Sequence, residues 1–149
     1  MTKFFSLLAV AVLAITTFAT GAMAESVQEN RIKTMKLIVQ NFKPLGAVAK
    51  GKAPYTMALV GNAEAMVQLS KGILTHFPEG SADSKSRAKP EIWSDWAGFQ
   101  KAAAAFEAAT PGLVVAAKSG DQAKIGAAVG AVGKTCGGCH KPYRKPKKK

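Results

Sequence analysis

Both cysteines of the chain, Cys136 and Cys139, and one of its two histidines, His140, fall in the single run Cys-Gly-Gly-Cys-His. Residues three and four apart are neighbours on one helical face, so on a helix two thiols and an imidazole point the same way. That arrangement suits covalent haem attachment. The thiols add across two vinyl groups as thioethers, and the adjacent imidazole ligates the iron. Three other chemistries compete for these residues. A redox Cys-x-x-Cys normally follows a strand and opens a helix, and no strand is predicted ahead of Cys136. A zinc site needs four ligands, and His76 is the one further nitrogen or sulfur partner of that kind in the chain. A plain disulfide leaves the histidine unexplained. The motif is therefore read as the attachment site of one haem c, with His140 as axial iron ligand.

The elements that must position these groups are helices. The sequence is rich in alanine and nearly free of strand-like alternation, and apolar residues recur at helical spacing. Ile32, Met35, Ile38, Phe42 and Leu45 form a stripe that predicts a first helix over 26–50, which Pro44 should kink or divide. Gly51 is a plausible stop, and Pro54 suits the first turn of a second helix over 54–75. Residues 76–89, rich in Pro, Gly, Ser and charge, read as a loop long enough to have a task. A third helix starts at Pro90, with Ile92, Trp93, Trp96, Phe99, Ala103 and Phe106 on its apolar face and an interruption at Pro111-Gly112. The last helix, capped by Ser119 or Asp121, carries the cysteines, and Pro142 should disturb its final turn. Four amphipathic helices of about 20 residues, each about 30 Å long, predict an all-α antiparallel four-helix bundle. Met35, Met66, Trp93, Trp96 and Phe99 are its candidate core and the apolar wall a haem needs.

The chain has 149 residues. Its start has Lys3, then an apolar run from Phe4 to Phe18, then Ala22-Met23-Ala24. This is the pattern of an export signal cleaved after Ala24. The run is shorter than the roughly 20 apolar residues of a spanning helix. Residues 1–24 are expected to be removed, leaving 25–149 as one domain in the periplasm. Cleavage takes away Lys3 and no acid, so the net charge of +12 becomes +11. A basic surface favours acidic partners or anionic membranes, and export argues against nucleic acid. The tail "KPYRKPKKK" holds much of the charge. No phosphate-binding glycine loop, serine-nucleophile motif or catalytic carboxylate pair is present, so no enzymatic activity is expected.

Four stretches carry a resemblance to a known family: Arg31-Ile-Lys-Thr-Met35, "AKGKAPY" from Ala49 to Tyr55, "RAKPEIW" from Arg87 to Trp93, and "CGGCHKPYR" from Cys136 to Arg144. In order and spacing the chain resembles cytochrome c′, the four-helix class II c-type cytochromes, over nearly the whole segment after Ala24. The resemblance implies that His140 is the proximal ligand of a five-coordinate, high-spin iron. It implies that Arg144 lies beside the proximal haem face, and that Arg31, with Arg87 in a similar part, lies near the haem propionates. It places Met35 over the distal face. There the reading divides, because in low-spin class II relatives a methionine near this position binds the iron. A thioether can block or ligate; Arg31 favours the first. His76, a lone histidine at a helix end, is expected to be solvated.

The functions implied are the binding of NO, and of CO more weakly, at an open iron site, or electron transfer with Met35 and His140 as axial ligands and an acidic redox protein as partner. Oxygen is expected to be disfavoured, since no polar distal donor is evident. The resemblance also implies a homodimer through the first two helices.

Overall fold

The computed structural model describes residues 26–83 and 86–146; the expected leader and the last three lysines lie outside the described residues. Among the described residues six α-helices follow in order: α1 (Val27–Ala49), α2 (Ala58–Lys71), α3 (Glu91–Ser94), α4 (Trp96–Ala109), α5 (Pro111–Ser119) and α6 (Gln122–Tyr143). A 3-10 turn, Leu74–His76, follows α2.

The start of α1 is closed by a reciprocal cap. The Glu29 amide donates to Ser26 Oγ at 3.2 Å, and the Ser26 amide donates to the Glu29 carboxylate at 2.8 Å. Two orphan donors are thereby satisfied. Pro44 does not divide the helix, which continues to Ala49 although proline has no N–H for the Gln40 carbonyl. The end is a Schellman motif. Gly51 sits at φ 66°, its amide bonds Val48 O at 2.9 Å, and the Lys52 amide bonds Ala47 O at 2.8 Å. The second helix begins later than Pro54 predicts. The intervening Tyr55 instead reaches across the bundle and donates its hydroxyl to Ala117 O at 2.8 Å.

The expected third helix is three. Asp95, at φ −123° and ψ 56°, leaves the helical region and caps α4 by accepting the Gly98 amide at 3.1 Å, which separates α3 from α4. The second break is at Pro111, which cannot donate to Glu107 O. That carbonyl is taken instead by the Thr110 amide at 3.3 Å and the Thr110 hydroxyl at 2.9 Å. The Thr110 hydroxyl also lies 3.1 Å from Ser70 Oγ, so this buried junction is fully partnered. Asp121 rather than Ser119 caps α6, accepting the amides of Ala123 at 2.8 Å and Lys124 at 3.1 Å. Pro142 is accommodated in the last turn, and α6 ends at Tyr143.

α1 packs on α2 and α6, α2 packs on α4 and α5, and both α4 and α5 pack on α6. Counting α4 and α5 as one broken rod, this is the expected four-helix bundle. Leu45, Ala63, Met66, Ile125 and Val132 lie at its centre with no exposed surface. Each larger apolar side chain there contributes about 1.5–3 kcal/mol. Met66 and Phe99 are core as predicted, whereas Met35, Trp93 and Trp96 are half-buried against it.

Loop 77–90 has the task that its length suggested. The Lys89 amide donates to Tyr143 O at 3.0 Å and the Lys145 amide to Arg87 O at 2.7 Å, pairing Ala88 antiparallel to Arg144. The loop is thereby tied to the backbone just beyond Cys-Gly-Gly-Cys-His.

Candidate functional site

One end of the bundle holds a cavity of about 670 Å³, within the range of about 300–1,000 Å³ usual for cofactor sites. Its walls come from the first turns of α1, the region after α2 (Ile73, Phe77), the loop (Ser86, Arg87, Ala88), Ile92 and Phe99, and the end of α6. Starts of odd rods and ends of even rods meet there, as an up-and-down bundle requires.

The cavity gathers six of the seven residues that the sequence singles out: Arg31, Met35, Arg87, Cys139, His140 and Arg144. Cys136 is half-buried against the core one turn before Cys139 and does not line the cavity itself. The two are not joined to each other as a disulfide. Burial pushes the Cys136 thiol above its ordinary value. It does the same for Cys139, where Cys136 adds to it and Arg144 opposes. Burial also lowers the His140 imidazole, helped by the charges of Arg144 and Arg87. The ring is therefore held neutral near pH 7, the form that binds a metal.

The α1 wall is an apolar stripe of Ile32, Met35 and Val39, one turn apart, flanked by Gln28, Lys36 and Gln40. Every charged residue of the lining is a cation: Arg31, Lys36, Arg87 and Arg144. An apolar slot with a cationic border, two thiols and a neutral imidazole on one helix face fits a haem. The apolar walls would take the macrocycle, the cysteines would hold its vinyl groups as thioethers, and the cations would suit the two propionates.

Arg31 is placed differently from a free propionate partner. It is 6% exposed. Its Nε donates to His76 O at 2.6 Å and its Nη1 to Ser81 O at 3.1 Å. The guanidinium lies 4.5 Å from the Phe77 ring centroid and 5.5 Å from that of Trp93. Burial lowers its ionisation and Asp83 raises it. Arg31 thus holds one end of the loop while lining the cavity. Arg87 holds the other, donating from Nε and Nη2 to Lys145 O at 3.0 and 2.8 Å. His76 is not simply solvated. It is half-buried, with Nε2 3.0 Å from the Thr34 hydroxyl, and it does not line the cavity.

Sequence reasoning missed several cavity residues, among them Gln28, Gln40, Phe77 and Tyr143. Gln28 and Gln40 put polar groups on the α1 wall, which removes the basis for expecting no polar donor there. Phe77 was hidden in the loop. Tyr143 lies three residues after His140 on the same face, a spacing that could have been read. Its hydroxyl donates to Asp95 Oδ2 at 2.7 Å. That bond, with burial, holds its ionisation up at about 12.

The sequence profile of the Cytochrome C' family matches residues 26–144. A cytochrome c' of Rubrivivax gelatinosus is 42% identical over 118 residues, covering 78% of this chain and 92% of the relative. A cytochrome c-556 of Rhodopseudomonas palustris is 34% identical over 138 residues, covering 89% and 91%. Among solved structures, a ferrous variant of cytochrome c prime from Alcaligenes xylosoxidans with bound NO superposes with a TM-score of 0.75 at 36% identity, covering 83% of this chain and 96% of that one.

Proposed function

This chain belongs to the cytochrome c′ family, with covalently attached haem c as its cofactor, and from that premise we propose that it is an exported haem protein of the periplasm with a five-coordinate, high-spin iron. Residues 1–24 are its export signal and 25–149 the working domain. Haem iron with an open axial position supplies reversible binding of NO and CO, and one-electron transfer.

The protein's own residues divide the work as follows. Cys136 and Cys139 anchor the group to α6, and His140 presents a neutral ring nitrogen from the same helix face. Arg144 sits on that proximal side, where its charge suppresses protonation of His140. Arg87 stands at the border for the propionates, and Arg31 keeps the loop wall in place while lining the same cavity. Met35 is the distal group, and the observation that carries the reading is its packing. It is half-buried against the core cluster, between Ile32 and Val39 on the α1 wall. That holds it as an apolar screen over the open position.

A second reading keeps Met35 as sixth ligand in a low-spin electron carrier. It is supported by the fact that Met35 and His140 line one cavity from different helices. In either case the basic border around the cavity attracts an acidic redox protein by electrostatic steering. Binding and electron transfer, not enzymatic turnover, are the roles read here. Pairing of two copies through α1 and α2 is supported by the exposed Leu37 and Met57 at 38% and 69%.

Met35→Ala separates the two readings. An unchanged spin state, with CO binding retained and faster, is expected for the open site. Conversion from low-spin to high-spin iron, with CO binding gained, would establish the alternative.

A further inference from the structure

Tyr143 is held more tightly than a cavity-lining side chain needs to be. Its hydroxyl donates to Asp95 Oδ2 at 2.7 Å, and its ring meets Phe99 edge-on at 5.3 Å between centroids. Its carbonyl accepts the Lys89 amide at 3.0 Å. Asp95 is fixed in turn, because its other oxygen, Oδ1, accepts the Gly98 amide at 3.1 Å and starts α4. The pair lies so close to Gly98 that a Cβ there would fall 2.5 Å from the Tyr143 hydroxyl oxygen and closer still to the Asp95 carboxylate. Only glycine fits without moving one of the two.

These contacts act on the helical turn that carries the axial ligand. Tyr143 lies one turn beyond His140, and the amide of Arg144 closes that turn on His140 O at 3.0 Å. Pro142 has no amide to donate to Gly138 O, so the turn is short of one internal bond. An anchor outside the helix replaces the lost constraint. We infer that the Tyr143–Asp95 pair, seated against Gly98, is a positioning device that fixes the last turn of α6 and through it the orientation of the His140 imidazole towards the iron. Tyr143 touches the ligand's own turn, and Asp95 acts through Tyr143. The inference rests on the five-coordinate reading of His140 above.

The test is resonance Raman spectroscopy of the ferrous holoprotein, read at the iron–histidine stretching band. Tyr143→Phe keeps the ring and removes the hydroxyl; it is expected to shift or split the band. Gly98→Ala, which displaces the pair from α4 and leaves the sequence of α6 unchanged, is expected to do the same. Asp95→Asn keeps both hydrogen bonds, with its amide donating to the tyrosine oxygen, and should restore the wild-type band. Thr110→Val breaks a buried hydroxyl pair elsewhere and should lower the melting temperature without moving the band. If Tyr143→Phe and Gly98→Ala leave the band in place and only lower the melting temperature, the pair is merely structural and the inference is overturned. Should the wild-type protein lack an iron–histidine band, the five-coordinate reading itself falls, and the inference with it.

Discussion

Arg31 illustrates how one residue can serve two surfaces. A buried guanidinium costs free energy unless its N–H groups are paired, and here they are paired with the His76 and Ser81 carbonyls and the Ser81 hydroxyl. Its stem and charge still line the haem cavity. Arg31→Met keeps the stem and removes the fork, leaving His76 O and Ser81 O without their donor. We expect a loss of about 2 kcal/mol in unfolding free energy, as for a hydrogen bond to a charged group. Limited proteolysis should then cut first within 77–90, and Arg31→Lys should recover only part of the protection, since a point charge cannot reproduce the fork. Wild-type resistance in Arg31→Met would show that the clamp is dispensable.

Helix boundaries were legible in the sequence wherever a local rule decides them. Gly51 and Asp121 each act on the backbone within a few residues, and α1 ends just before the first while α6 starts just after the second, one of the two caps the sequence offered. Other boundaries were not legible, among them the end of α2 at Lys71 instead of residue 75. The break at Asp95 depends on a carboxylate that also answers Tyr143, 48 positions away. The late start of α2 is accompanied by Tyr55 binding Ala117, 62 positions away. The site follows the same division. Cys136, Cys139 and His140 are legible because their spacing alone puts them on one face, whereas Gln28, Gln40 and Phe77 reach the cavity only through packing.

The cap of α6 yields a pH prediction at this scale. The bond from the Lys124 amide, chiefly, and that from Ala123 hold the Asp121 carboxyl below its ordinary value of 3.8. Its contribution to stability is therefore fully present well above that value and is lost as the pH falls through the lower folded value. Asp121→Ala should be less stable than wild type at neutral pH, and the two should converge in strong acid. An unfolding series across that range measures it; a constant difference at all pH values would refute the cap.

For the whole molecule, the bundle has to hold one end open for a large apolar group while the middle stays closed. The closed middle is centred on Met66, with no exposed surface. Met66→Ala is expected to cost about 2–5 kcal/mol, in line with other buried truncations, measured by urea unfolding of the holoprotein. With the haem anchored to α6 through Cys136 and Cys139 as proposed, the folded fraction should keep its wild-type colour. A changed spectrum in folded Met66→Ala would mean that the core and the cavity are coupled in a way that separate layers do not allow. The clustering of Cys-Gly-Gly-Cys-His near the C-terminus also makes sense at this scale. The last rod of the bundle ends at the open end, where the loop from 77 to 90 returns to seal it.

The central claim, a haem held by Cys136, Cys139 and His140 with its other axial position open beneath Met35, is tested most directly by visible absorption spectra of the oxidised and reduced protein, each recorded with and without CO. The account predicts broad high-spin spectra and a reduced form that CO converts to a new species. A sharp low-spin spectrum with a methionine-to-iron charge-transfer band, unaltered by CO, would contradict it.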